Sequence, residues 1–309
     1  MTFELWVVLA IGAALAQTTR NALAQSVSSK ISPTLNSWAR FTFCLPFAGI
    51  AAIVSMSIDG LPTLPPSFFF YCFCTAVTQL LGNVALVSAF RVGGFGESIV
   101  FHKLEVIVAA IVGALIFSEM PSAFGAVGIA VCGVGVVATN LARDAGRLGQ
   151  SRWLQAFSLG RAGSLALLCA VLLVAASFAL KLANGIVADA NPAIGRESIS
   201  APIQTLFHTT WMEVALLSAW IARFDRGSFS DVRMHWRRML LIGSAGFVGS
   251  LGWFWAYSLT LVAYVKAVGQ VEALLAIALG IRVLGERELI RQLPGILLIV
   301  CGITFVLLG

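Results

Sequence analysis

Two glutamates stand where an apolar chain can least accommodate them. Glu105, in Phe101-His102-Lys103-Leu104-Glu105, and Glu272, in Val268-Gly269-Gln270-Val271-Glu272, each fall about eleven residues into a hydrophobic run. A charged side chain at the centre of a bilayer costs roughly 2.5 to 3.5 kcal/mol on the insertion scale, so neither acid is expected to face lipid. At three- and four-residue steps, Glu105 shares a helix face with His102, Ala109 and Gly113, and Glu272 with Gly269, Ala276 and Gly280. Small faces let helices approach closely, which points both carboxylates into a helix bundle. The charge of an enclosed acid depends on its burial and on nearby cations, so such a group can take a proton from one side and release it to the other. The chemistry implied is proton coupling of transport; the competing reading is a structural pair with Lys103, Lys266 or a neighbouring helix.

Other residues could hold a solute. Lys103 and Gln270 stand two positions before the glutamates, on a different face, and His102 lies beside them. Gln17, Gln79 and Asn83 interrupt apolar runs, and Trp253 and Tyr257 could form aromatic walls of a cavity, although aromatics near span ends also anchor helices at the interface. Arg20 and Arg40 are expected to snorkel. No catalytic residues, metal or cofactor are expected. His208 and Glu213 are five apart, a poor ligand spacing, three histidines assemble no triad, and Gly93, Gly94 and Gly96 lack the strand and the Lys-Ser/Thr ending of a phosphate loop.

The elements that must position these residues follow from composition. Of 309 residues, 59% are hydrophobic and 11% charged, with a mean hydropathy of +0.93. At about 20 apolar residues per span, ten spans leave only short connections. That excludes a soluble domain and a nucleic-acid partner, and makes the net charge of +6 a record of orientation in a bilayer. Apolar runs cover 5–24, 32–57, 67–90, 95–117 and 122–141, then 162–183, 201–222, 239–259, 262–281 and 293–308. Pro62, Pro65, Pro66, Pro121 and Pro294 mark several breaks. Ala14-Leu15-Ala16 resembles a cleavage site, but Glu4 and the lack of any earlier Lys or Arg predict an uncleaved first span. The six cysteines all lie in apolar runs and are expected to be free, buried thiols.

A shift of 167 residues places Glu119 on Glu286, Glu105 on Glu272, Gly128 on Gly295 and Gly135 on Gly302. The chain therefore reads as two copies, 1–141 and 162–309, joined by a basic linker at 142–161. Five spans per copy is odd, so the second copy enters from the opposite side, an inverted repeat of the kind found in secondary transporters. The gaps between apolar runs after the fifth, seventh and ninth spans carry Arg143, Arg147, Arg152 and Arg161; Arg223, Arg226, Arg233, Arg237 and Arg238; and Arg282, Arg287 and Arg291. Lys30 and Arg91 fall on the same side, whereas the gaps after the second and fourth spans carry only Asp59 and Glu119. This bias predicts a multi-pass protein of a bacterial-type inner membrane with both termini outside the cytoplasm.

Each half ends in a glutamate-containing turn and a glycine-rich helix: Phe117-Ser118-Glu119-Met120 before Gly125, Gly128 and Gly133, and Leu284-Gly285-Glu286-Arg287 before Gly295 and Gly302. Over nearly its whole length the chain resembles the EamA-type members of the drug/metabolite transporter superfamily. His-Lys-Leu-Glu at 102–105 and Gly-Gln-Val-Glu at 269–272 are similar to a bacterial subgroup in which these residues replace a mid-helix proline. Met120 and Pro121 depart from the basic residue usual after the first turn glutamate. The resemblance implies an all-α membrane fold of ten transmembrane helices in two inverted repeats. It also implies export of small organic solutes or metabolites by alternating access, by a monomer or homodimer and without enzymatic activity. The alternatives are an uncoupled metabolite facilitator, a lipid flippase or a membrane-embedded enzyme.

Overall fold

The computed structural model describes residues 4–27, 33–92, 101–148, 160–195, 197–224, 229–272, 274–275 and 292–309. It is all-α. The element order is α1 (Leu5–Val27), α2 (Pro33–Asp59), α3 (Pro66–Val92), α4 (Glu105–Ile116), α5 (Ala123–Leu148), α6 (Arg161–Ala190), α7 (Ser200–Phe224), α8 (Phe229–Leu259), α9 (Val262–Gly269) and α10 (Leu293–Leu308). Prolines start several of them: Pro33 and Pro66 are the first residues of α2 and α3, and Pro294 is the second of α10, where a missing N–H costs nothing. Among the described residues, five helices, α1, α2, α3, α6 and α8, are long and apolar enough to cross a membrane, and α5 and α10 contain shorter apolar stretches. The chain is therefore a multi-pass membrane protein.

Several boundaries differ from the hydropathy reading. Helix α8 begins ten residues earlier than the apolar run, at Phe229, so Arg237 and Arg238 lie on helix rather than loop. The Arg237 guanidinium rests 5.6 Å from the ring centroid of Trp236, which lets the charge stay exposed while the helix continues. Helix α5 likewise runs on to Leu148 instead of ending at the last apolar residue. The fourth and ninth spans, by contrast, are each interrupted near their acidic residue. Gly280, Glu286 and the rest of 276–291 lie outside the described residues.

The chain forms two compact units, Met1–Val77 with Phe178–Leu259, and Thr78–Ser177 with Thr260–Gly309. Each draws on both halves of the sequence. In the first unit α1 packs on α8, and α2 on α7 and α8. The glycine stripe of α8 drifts across these neighbours: a Cβ on Gly243 would stand 2.4 Å from the Phe43 backbone in α2, and one on Gly252 would stand 2.9 Å from Ala13 Cβ in α1. One core cluster joins Leu35, Ala39, Ile221, Met239 and Ile242, and another joins Phe68, Cys72, Ala183, Val187 and Ala201. Asn191 ties the 60–65 segment to α6, donating to the carbonyls of Thr63 and Val187 and accepting from the Thr63 N–H at 2.7 Å.

In the second unit α5 lies along α10, and α4 packs on α9. Val106, Ala109 and Gly113 form the buried face of α4, which includes the small residues expected beside Glu105. All six cysteines are free. Cys44, Cys72, Cys132 and Cys169 are buried as expected and Cys74 is half-buried, but Cys301 is exposed on the outer face of α10, since an apolar run does not say which of its sides faces protein.

Candidate functional site

The second unit gathers the acidic site. Helix α4 opens at Glu105 only after a turn at Leu104 (φ −65°, ψ −4°), whose N–H donates to the Phe101 carbonyl at 3.3 Å. Helix α9 stops at Gly269, and Gln270 (φ −63°, ψ −10°) repeats the pattern, its N–H donating to Ala267 at 3.1 Å. Both are three-residue bonds of the tighter 3₁₀ type, which recurs at functional hinges. In the repeat register the two breaks fall within one residue of each other.

Between these breaks Lys266 Nζ donates to Glu105 Oε2 at 3.0 Å. The pair is enclosed, with side-chain exposures of 7% for Lys266 and 14% for Glu105. Gln270 donates through Nε2 to the Lys266 carbonyl at 3.2 Å, and its Oε1 is buried with no hydrogen-bond partner among the described residues. His102 lies in the field of Glu105, Lys103, Lys266 and Glu272, and its Nδ1 is 3.5 Å from the Cys169 thiol on α6. The group holds two acids and two lysines, so its charges cancel if the imidazole is neutral. Balance is what a low-dielectric interior requires, because desolvating an unmatched ion costs several kcal/mol.

The sequence reading named Glu105, Glu272, His102, Lys103 and Gln270, and the structure sets His102 amid Lys103 and both acids while Gln270 donates to the backbone carbonyl of Lys266. Lys266 entered that reading only as an alternative partner. Gln79 and Asn83 do not join by hydrogen bond among the described residues; Asn83 donates to the Gln79 carbonyl of its own helix at 2.9 Å.

Glu119, noticed in the sequence as a register marker, has a positional task. Its Oε2 accepts the Val262 N–H at 3.0 Å, satisfying a donor at the start of α9 where Leu261 offers no side-chain cap. Next to it Tyr264 accepts from the Ser122 N–H at 3.0 Å, and a Cβ on Gly125 would stand only 2.0 Å from the Tyr264 hydroxyl oxygen, so only glycine fits there. The turn of the first half therefore anchors the helix that carries Lys266. Glu119→Ala should lose about 0.5 to 2 kcal/mol, as removal of a helix cap does, while Glu119→Gln, which keeps an acceptor, should lose less. Melting of the purified protein separates the two; equal losses would mean that the cap does not matter.

The first unit holds a second polar group. Trp253 Nε1 donates to Gln17 Oε1 at 3.1 Å, and the Trp253 and Tyr257 rings stack with centroids 6.3 Å apart, so three of the expected cavity candidates meet. The sequence reading placed helix α7 but missed its polar stripe. Among the described residues, the buried polar atoms without a hydrogen-bond partner, apart from Gln270 Oε1, all belong to this unit: Thr42 Oγ1, Asn184 Oδ1, Gln204 Nε2, Thr205 Oγ1, Thr209 Oγ1 and Glu213 Oε1. Four are on α7. The signal was present, because Thr205, Thr209 and Glu213 recur every four residues as one stripe. The pair His208/Glu213 was weighed only as a metal spacing, yet His208 accepts from Trp211 Nε1 at 3.0 Å and is packed by Phe68, Phe69 and Phe207.

Glu213 is 2% exposed, and Arg40 of α2 is the cation that acts on it. The expectation that Arg20 snorkels is corrected: it is 8% exposed and donates to Asn21 Oδ1 through Nη2 at 2.8 Å. A Cβ on Gly246 would lie 3.6 Å from Arg20 Cδ and 3.9 Å from Arg40 Cγ, so the missing side chain on α8 makes room for both stems.

No curated protein matches the chain. A solved crystal structure of a protein matches with a TM-score of 0.63 over 97% of this chain and 95% of its own; at 17% identity the likeness shows the fold alone. Residues 4–141 and 161–308 each match the EamA-like transporter family, nearly the whole length of the sequence. These matches fit a multi-pass membrane transporter of small solutes with a non-catalytic transport function. The chain belongs to the EamA-like transporter family.

Proposed function

We propose that the protein is a secondary carrier that exports small organic solutes or metabolites by alternating access, with proton movement coupled through Glu105. In this reading the ten helices are the spans of two inverted five-helix repeats. The observation that carries it is the ion pair between Glu105 and Lys266, which joins two helices interrupted at matching positions. Secondary carriers place coupling and substrate groups at such discontinuous helices near the midplane. A proton arriving at Glu105 neutralises the carboxylate and leaves Lys266 without a counter-charge. The bond weakens, and α4 and α9 can repack about their breaks. Losing the proton on the other side restores it. Solute moves because it binds the two states with different affinity. Among the described residues of the second unit, Gln270 Oε1 is the buried polar atom left for it.

One observation favours a second reading. Lys266 already balances Glu105, so the pair could serve as glue in an uncoupled facilitator. Reconstituted vesicles with an imposed pH gradient distinguish the two across a metabolite panel. Coupling predicts that wild-type transport follows the gradient and that Glu105→Gln and Glu272→Gln retain solute movement but lose that dependence. Wild-type transport indifferent to the gradient would remove coupling and leave the facilitator.

A further inference from the structure

A cleft of about 570 Å³ opens in the second unit between the end of α3 and the start of α6. We propose that it binds the headgroup phosphate of an anionic phospholipid, held by Arg91 and Arg161 with Ser88 and Ser164 beside them. Arg91 sits in the last turn of α3 and Arg161 is the first residue of α6. Both are exposed, and among the described residues neither has an ion-pair or hydrogen-bond partner. Among the described residues, no acidic side chain lines the cleft. Two unpaired guanidiniums facing one space repel each other, and a phosphate relieves that repulsion while accepting forked hydrogen bonds from each. The positive end of the α6 dipole acts in the same direction.

The walls identify the source of the phosphate. Leu165 and Leu168 line the same cleft, and Leu168 is 48% exposed, as is the neighbouring Val92 at 49%. A soluble anion would leave these apolar walls wet, whereas a phospholipid covers them with its glycerol and first acyl carbons. The position agrees, since Arg91 and Arg161 belong to the basic side of the sequence, the side that meets the anionic leaflet, where basic groups between helices take lipid headgroups.

The test is native mass spectrometry of the full-length protein in detergent, with phosphatidylglycerol and phosphatidylcholine offered at equal concentration. Phosphatidylglycerol should be retained about tenfold over phosphatidylcholine, and the double variant Arg91→Gln/Arg161→Gln should lose that preference. Millimolar inorganic phosphate should leave the wild-type adduct in place. Displacement by inorganic phosphate would reassign the cleft to a soluble anion and overturn the lipid proposal, as would equal retention of the two lipids or a preference that survives in the double variant. Should that variant not fold, Leu168→Glu sets a negative charge at the exposed wall and should abolish the same preference; if the preference persists, the proposal fails.

Discussion

Glu105→Gln and Lys266→Met should each lower stability by about 3 to 5 kcal/mol, and the double variant should recover most of the loss. The asymmetry follows from burial. Lys266 is 7% exposed and Glu105 14%, so removing one partner strands the other's charge away from water. Removing both leaves an amide and a thioether, which a low-dielectric interior tolerates. In a melting experiment on purified protein each single loss should therefore exceed the double loss, so that the coupling, the sum of the two single losses minus the double loss, is larger than either single loss. Function should separate from stability. The double variant, restored in folding, should still lack gradient-driven transport, because no group remains there to carry the proton. Additive losses would mean that the two residues do not hold each other. A double variant that follows the pH gradient would move coupling elsewhere, with Glu272 and Glu213 as the next enclosed acids to test.

The parts of this arrangement that were legible in the sequence are those that hydropathy and local spacing encode. Each of the ten apolar runs holds a helix among the described residues, and an acid within such a run implies enclosure. What spacing does not encode is which helix lies against which. Lys266 is 161 residues from Glu105 and six from Glu272, so sequence distance favours the wrong neighbour. The compact units cut across the two sequence copies, which no periodicity announces. Glu119 shows the same limit in another form: its turn marked the repeat, but its task depends on Val262, 143 residues away. Arg20 was misread because its position near a helix end suggested access to water, and only the packing of α8 through Gly246 shows it covered.

The α7 stripe was overlooked for a different reason. Its residues are as regular as any helical face, but a polar face within a span was weighed for metal chemistry alone. Thr, Gln and Glu side chains enclosed without partners are costly, at about 1 to 3 kcal/mol per unsatisfied group. Neighbours that fail to satisfy them leave them available to water or a solute. This is why α7, at 25 residues, is not among the helices apolar enough to cross a membrane by composition alone. Its low hydropathy and its unpartnered atoms have one origin.

The stability of the second unit should depend on four glycines at the seam of α5 and α10. A Cβ on Gly128 would stand 2.7 Å from the Gly302 carbonyl oxygen, and one on Gly302 would stand 2.5 Å from the Cys132 backbone nitrogen. Gly135 and Gly295 approach each other in the same way, with backbone oxygens 2.9 Å and 2.8 Å from the added carbons. These contacts are with backbone, which cannot swing aside as a side chain can, so the helices themselves must separate. Between lipid-embedded helices, close packing is a main source of attraction, and separation forfeits it along the whole seam. Gly302→Ala should cost at least about 1 to 3 kcal/mol, the range for overpacking a filled core, and Gly302→Leu more. Gly12→Ala is the control: nothing lies within 4 Å of its added carbon, so its melting temperature should hold or rise. The pair Gly128→Ala with Gly302→Ala should cost less than the two single losses combined, because the first added carbon already opens the seam into which the second would project. Full additivity would mean that each methyl is absorbed locally and that α5 and α10 are not joined through their backbones; a Gly302→Ala protein that melts with the wild type would remove the seam altogether.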